Sequence, residues 1–353
     1  MITQVFGGIF GANSIFPAPM SSSNIVTRQF DRLPEQSVLI LIENMIWPIL
    51  AIISFFILLF VPRVFTNTAT LELMLFAAVP LGLIVLAESI CLLSGHFDLS
   101  VGAIAGFSAV FTAMALAEWN LIANPFLGIL LIIAVGCAIG AMNGIMIAKF
   151  GMNPFLQTLA FFIIFGGGKL ALTTQPISGL PEGYTAAGNS APVAIGILLA
   201  SFAVMAGIFK YTEFGQAVYA VGSDKEAARA VGINTERTII LVYTLSGFFC
   251  AIAGLMLSGY TGLVSPNVAD DMVFSAFAAA IIGGISLFGG RGKLLGALGG
   301  VLLLSIIETA LTVSGFDPTL IEVMNGIVLM IAILLYNMKE NIRGQVLSAG
   351  ANT

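Results

Sequence analysis

The chain has 353 residues, of which 58% are hydrophobic and 9% charged, with a formal net charge of -5. Soluble domains carry about 25% charged residues, so this composition excludes an ordinary water-soluble globule, and the negative balance argues against a nucleic-acid partner. Cys91, Cys137 and Cys250 each lie inside an apolar run without paired spacing, which excludes a disulfide frame or a cysteine metal site.

Residues 1–38 are polar or glycine-rich and lack a compact apolar core behind a basic start, so they read as a cytoplasmic N-terminal tail rather than a signal peptide. A helical span needs about 20 mainly apolar residues. On that basis ten spans follow, near 44–62, 70–92, 101–118, 125–148, 155–174, 191–209, 238–259, 272–287, 294–313 and 320–337. The eighth is short and glycine-rich, the pattern of a broken or re-entrant segment. Residues 39–343 therefore form one transmembrane domain, with a C-terminal tail over 344–353. The fold class is an all-α polytopic membrane protein.

Ten spans put both termini on one side, and basic residues collect in cytoplasmic segments. With the ends inside, those segments hold Arg28, Arg32, Lys149, Lys210, Lys225, Arg229, Arg237, Arg291, Lys293, Lys339 and Arg343, eleven of the 13 basic residues. Only Arg63 falls outside, and Lys169 falls within a span. The external loops carry Glu118, Glu182, Asp270, Asp271 and Asp317 instead. Two connections are long: an external one, 175–190, whose Pro and Gly content predicts irregular structure, and a cytoplasmic one, 210–237.

Between the second and third spans, Leu93–Ala103 (LSGHFDLSVGA) interrupts apolar sequence with His96, Asp98 and Ser100. Polar groups at membrane depth are costly unless packed against protein or water. The local reading is a turn in which Gly95 closes one helix and Asp98 caps the next. In the cytoplasmic connection, Gly222-Ser223-Asp224 opens a short helix over 224–231. Glu226 suits its first turn, Ala227, Ala228 and Ala230 keep one face slim for docking, and Gly232 closes it. Two helical turns are marginal alone, so a surface is expected to hold them, either a partner or the lipid headgroups.

The chain holds no phosphate cradle of the Walker type, because neither Gly292-Lys293 nor Gly168-Lys169 is followed by Ser or Thr. No nucleophile has a base at useful spacing, and His96 is the only histidine. Catalytic residues, metal ligands and a bound cofactor are therefore not expected, and ATP with Mg, if used, belongs to a partner.

The segment GSDKEAARAVGI, from Gly222 to Ile233, resembles the coupling loop of permease subunits from bacterial ABC importers of the ribose, xylose, arabinose and galactose group. GHFDLSVGA, from Gly95, is similar to that family's GGIDLSVGA. Asn153-Pro154-Phe155 with Thr158-Leu159, then Gln175-Pro176-Ile177, resemble its PPF-x-x-TL and QPI elements. The run Gly283–Gly292 (GGISLFGGRG) looks like its GGTSLFGGRG. The matches occur in family order over roughly residues 75 to 340. His96 departs from the family, which has glycine there, and this puts the tight-turn form of the motif in question.

The resemblance implies an inner-membrane permease that moves a monosaccharide or related polyol by alternating access. Its partners would be two ATPase subunits, a second identical or sister permease, an external solute-binding protein and the surrounding lipid. Gly222, Asp224, Glu226, Ala227, Ala228 and Gly232 would couple it to the ATPase. A nucleoside or another sugar-derived solute fits the same motifs, and a proton-coupled transporter using Glu88, Asp98 or Glu308 is the alternative of another class. Two readings stand for Glu88, His96, Asp98, Ser100, Asn153, Lys169 and Glu308: they line a translocation path, or they brace helices, for instance as a buried Glu–Lys pair. The glycine series 136-140-144 and 292-296-300 read as close helix packing.

Overall fold

The computed structural model describes residues 44–350, so the expected N-terminal tail, 1–38, lies outside the described residues. In chain order the helices are α1 (Ile46–Phe60), α2 (Arg63–Thr66), α3 (Thr68–Leu93), α4 (Val101–Ala113, continuing as a π turn over Met114–Glu118), α5 (Pro125–Ala148), α6 (Pro154–Leu172) and α7 (Glu182–Asn189). They continue as α8 (Ala191–Tyr211), α9 (Glu213–Ser223), α10 (Lys225–Ala230), α11 (Thr235–Thr261), α12 (Met272–Ile282), α13 (Leu294–Val313) and α14 (Pro318–Gly350). Among the described residues there is no strand, and a lone antiparallel bridge joins Ile177 to Val264. The protein is an all-α polytopic membrane protein.

All ten apolar runs fall on helices, but seven helices are long and apolar enough to cross a membrane: α3, α4 with its π turn, α5, α6, α8, α11 and α13. With 15 and 11 residues, α1 and α12 rise only about 22 and 16 Å, short of a hydrocarbon core about 30 Å thick. The C-terminal run appears as a short apolar stretch, Thr319–Ile331, within α14. The broken eighth run has a local cause. α12 stops where Gly284 turns left-handed (φ 93°), with the Gly284 and Ile285 amides donating to the Ile281 and Ala280 carbonyls. That is the Schellman pattern of a glycine-terminated helix.

Asparagine and aspartate start the helices. Asn67, Asn124, Asn153, Asp224 and Asn234 each accept a hydrogen bond from a backbone amide in the first turn of α3, α5, α6, α10 and α11. The bundle centres on α3 and α11, whose middles are buried. The glycine series packs as expected except at Gly292, which precedes α13 in a turn at φ 133° against Ile285. A methyl on Gly136, Gly140 or Gly144 would press on Ala251, Gly247 or Ile240 of α11, and one on Gly296 or Gly300 would meet the α12 backbone or the turn after it.

Two long connections differ from their expected form. The 175–190 connection contains α7, because its Tyr184 is buried and its Gly188 lies against Met256 and Gly259 of α11. The 210–237 connection holds α9 as well as α10. Thr212 caps α9, which buries Gly215, Val218, Val221 and Gly222 on one side; this amphipathic face is stabilised by packing rather than by strong helix formers.

Candidate functional site

The link 94–100 is fixed from several sides. At the end of α3, the Gly95 amide donates to Leu92 (2.9 Å) and the His96 amide to Cys91 (3.1 Å), again a Schellman turn with Gly95 at φ 77°. The position that needs glycine is therefore 95, and His96, at negative φ, fits the turn. The His96 ring pairs through Nδ1 with the Ser94 hydroxyl (2.9 Å) and lies edge-on to Tyr243. Burial pushes its imidazole down to about 4, so it is neutral at physiological pH.

Asp98 is fully buried, and its carboxylate accepts from the amide and hydroxyl of Ser100 and from the Ser246 hydroxyl of α11 (3.0 Å). The expected cap is not formed: Ser100 is the N-cap of α4, no side chain caps that helix start, and the Asp98 bond to the Ser100 amide closes a turn just ahead of it. Asn143 of α5 donates to Ser100 Oγ (2.9 Å), and Gln157 of α6 reaches Asn143. Thr158 accepts the Leu99 amide (3.1 Å), while the Tyr243 hydroxyl donates to the Phe97 carbonyl (2.7 Å). Glu88, also fully buried, accepts the Asp98 amide at 3.5 Å. Five helices thus converge on one polar knot, since a buried amide or hydroxyl without a partner is costly. Sequence reading missed Asn143, Gln157, Thr158, Tyr243 and Ser246 as members; Asn143 and Gln157 were visible as amides inside apolar runs.

Three of the recognised motifs meet next to this knot. The Gly290 amide donates to the Leu93 carbonyl (2.9 Å), and the Tyr219 hydroxyl of α9 donates to the Gly292 carbonyl (2.8 Å). A Cβ on Gly222 would lie 2.6 Å from the Gly290 nitrogen, and one on Gly289 would lie 2.6 Å from the Gly222 carbonyl oxygen and 2.5 Å from the Gly95 Cα. Gly95, Gly222, Gly289 and Gly290 therefore form a backbone-on-backbone junction that side chains would wedge open. It joins the end of α3, the end of α9 and the turn after α12.

From this junction projects α10. Asp224 accepts the Glu226 and Ala227 amides, and Gly232 (φ 91°) ends the helix in a Schellman turn. Ala228 faces inward, whereas Glu226, Ala227, Arg229 and Ala230 are exposed and Val231 is 78% exposed. The slim face thus divides, with Ala228 seated in the protein and the others presented outward. Glu226 and Arg229 form an exposed i,i+3 pair.

The remaining charged residues separate. Lys169, fully buried on α6, pairs with Asp270 and also reaches the Val268 carbonyl (3.3 Å). The sequence suggested a Glu–Lys brace; the lysine instead braces the 262–271 connection, over glycines 102 and 106 of α4. Asn153 is an exposed helix cap. Glu308 lines a cavity of about 380 Å³ with Thr70, Tyr260, Asp271, Ser305 and Thr309. Among the described residues no group of three or more His, Cys, Asp or Glu is placed to hold a metal ion.

Residues 70–333 match the family described as the permease component of the branched-chain amino acid transport system. Among curated proteins, the fructose import permease protein FrcC of Rhizobium meliloti is 31% identical over 284 residues, covering 77% of this chain and 78% of that protein. The ribose import permease protein RbsC of Bacillus subtilis is 33% identical over 266 residues, covering 73% and 82%. The L-arabinose transport system permease protein AraH of Escherichia coli is 28% identical over 270 residues, covering 75% and 81%. No solved structure matches the chain.

Proposed function

The chain belongs to this ABC-importer permease family, with sugar import permeases among its relatives, and from that premise we propose that it is the membrane-spanning subunit of an ATP-driven importer of a monosaccharide or related polyol. It acts in the inner membrane with both termini cytoplasmic and with ten membrane-crossing or membrane-embedded helices. ATP and Mg are bound and hydrolysed by separate ATPase subunits, and an external solute-binding protein delivers the solute. A second permease copy, identical or sister, completes the pathway.

The observation that carries this reading is the placing of α10 on the glycine junction. A helix of six residues has little stability of its own, yet it presents Ala227, Ala230 and an apolar Val231 outward. Its root, Gly222, abuts the link that holds Asp98. A push on α10 by an ATPase would pass through backbone contact to the α3–α4 link and the α12 turn, and so to the spans. Alternating access follows if two arrangements of that junction open the path to opposite sides.

Charge at the exposed face tests this without touching the inward Ala228. Val231→Asp or Ala227→Glu is expected to abolish ATP-dependent uptake while the permease still reaches the membrane. Uptake at the parent level in both variants, at equal expression, contradicts the coupling role. Gly232 is less suited to this test, because its positive φ makes any side chain strain the fold.

A further inference from the structure

We propose that the cavity around Glu308 is a holding site for the transported sugar, at the end of the bundle opposite the coupling helix. This rests on the sugar-permease reading above and adds where the permease itself touches its solute. Thr70, at the cavity, stands 23 residues before Leu93 on the unbroken α3, roughly 35 Å away along the axis.

The lining argues for a ligand. The cavity holds about 380 Å³ and gathers Tyr260, Asp271, Ser275, Ser305, Glu308 and Thr309 from α11, α12, α13 and the connection before α12. Ser305 is only 4% exposed, and no hydrogen bond among the described residues takes up its hydroxyl, the Glu308 carboxylate or the Tyr260 hydroxyl. The Glu308 main-chain carbonyl accepts from Thr312, and its side chain is exposed at the cavity it lines. Within apolar helices such groups persist where they face water or a polar ligand. The volume falls within the usual range for small-molecule pockets.

The chemistry favours a neutral polyol. A carboxylate accepts from two neighbouring sugar hydroxyls, the serine and threonine hydroxyls both donate and accept, and an aromatic ring covers the C–H face. Tyr260 supplies that ring and is held edge-on by Phe76, with centroids 4.7 Å apart. Met74, Ala78 and Leu81 form the apolar part of the wall. The competing occupant is a cation drawn to Glu308 and Asp271.

The test uses the complete importer, purified with its partners and placed in proteoliposomes, with uptake measured for the transported sugar and its mono-deoxy analogues. Glu308→Gln is expected to lower uptake about ten-fold, the scale of one hydrogen bond to a charged acceptor. One analogue, lacking the hydroxyl that Glu308 accepts, should lose its disadvantage in the variant, the signature of direct contact in a double-mutant cycle. If Glu308→Gln does not assemble with its partners, Ser305→Ala is put through the same series. Gly196→Ala, which faces open space on α8, serves as the control at parent level. Unchanged uptake, or an equal loss for every analogue, overturns the site. Loss of a sodium or calcium dependence in Glu308→Gln overturns it in favour of a cation. A parent complex that moves no sugar overturns both this site and the function it rests on.

Discussion

Gly222→Ala is the smallest change that should disable the junction. The added methyl would fall 2.6 Å from the Gly290 nitrogen and closer still to the Leu93 carbonyl oxygen, the two partners of the hydrogen bond that ties the α12 turn to α3. Losing that bond costs about 1 kcal/mol, and forcing backbone apart in a packed site costs roughly 1–3 kcal/mol more. Together these give about 2–4 kcal/mol concentrated on the three joined segments. Folded proteins are stable by about 5–15 kcal/mol, so the bundle should persist while the junction opens. Uptake in proteoliposomes should fall at least ten-fold, and thermal inactivation in detergent should come several degrees earlier. The matched control is Gly207→Ala, on α8 with nothing near its Cβ, which should change neither. Parent uptake and parent stability in Gly222→Ala would refute the reasoning, because that methyl has no room without moving backbone.

Other outcomes follow from the same contacts. Asp98→Ala removes the acceptor for the Ser246 hydroxyl and for the amide and hydroxyl of Ser100, which keeps only the bond from Asn143, in a fully buried place, so it should cost about 2–4 kcal/mol, visible as loss of folded protein after detergent extraction, whereas Ser246→Ala should cost about 1 kcal/mol. The Lys169–Asp270 pair is lopsided, with side-chain exposures of 0% and 41%. Asp270→Asn, which strands a buried cation, should therefore lower the thermal midpoint more than Lys169→Met, which frees an acid that can reach water; the reverse order would contradict the burial. His96 is lowered to about 4 by burial, against about 6.5 in an unfolded chain. The folded form thus binds fewer protons between these values, and stability should decline as pH falls from 6.5 towards 4, then level off. His96→Gly should remove that decline and leave uptake between pH 6.5 and 8 unchanged in shape.

Much of the architecture is written locally. The apolar runs and the Gly-Ser-Asp start of α10 are short-range features; the runs located the apolar helices, and Asp224 located the start of α10. Gly95 and Gly232 were legible as helix stops because a left-handed residue beyond the last turn is a local demand. The unexpected histidine was resolved by the same logic, since the demand falls on residue 95 and leaves 96 free. Tertiary pairing was not legible. Lys169 finds Asp270 across 101 residues, and the Glu88 carboxylate lies beside the Asp98 amide because the α3–α4 link folds back. That the three glycine-rich motifs touch each other needed the backbone, as a glycine signals room but not its neighbour. α7 escaped detection because its alanines and glycines gain their helix from packing on α11 rather than from an apolar pattern.

The most direct test of the whole account is sugar uptake by the purified permease reconstituted with its ATPase and solute-binding protein. The account predicts uptake of at least one monosaccharide that requires ATP inside and the binding protein outside, and that persists when a protonophore collapses the proton gradient. Uptake that survives without ATP and stops with the protonophore would contradict it.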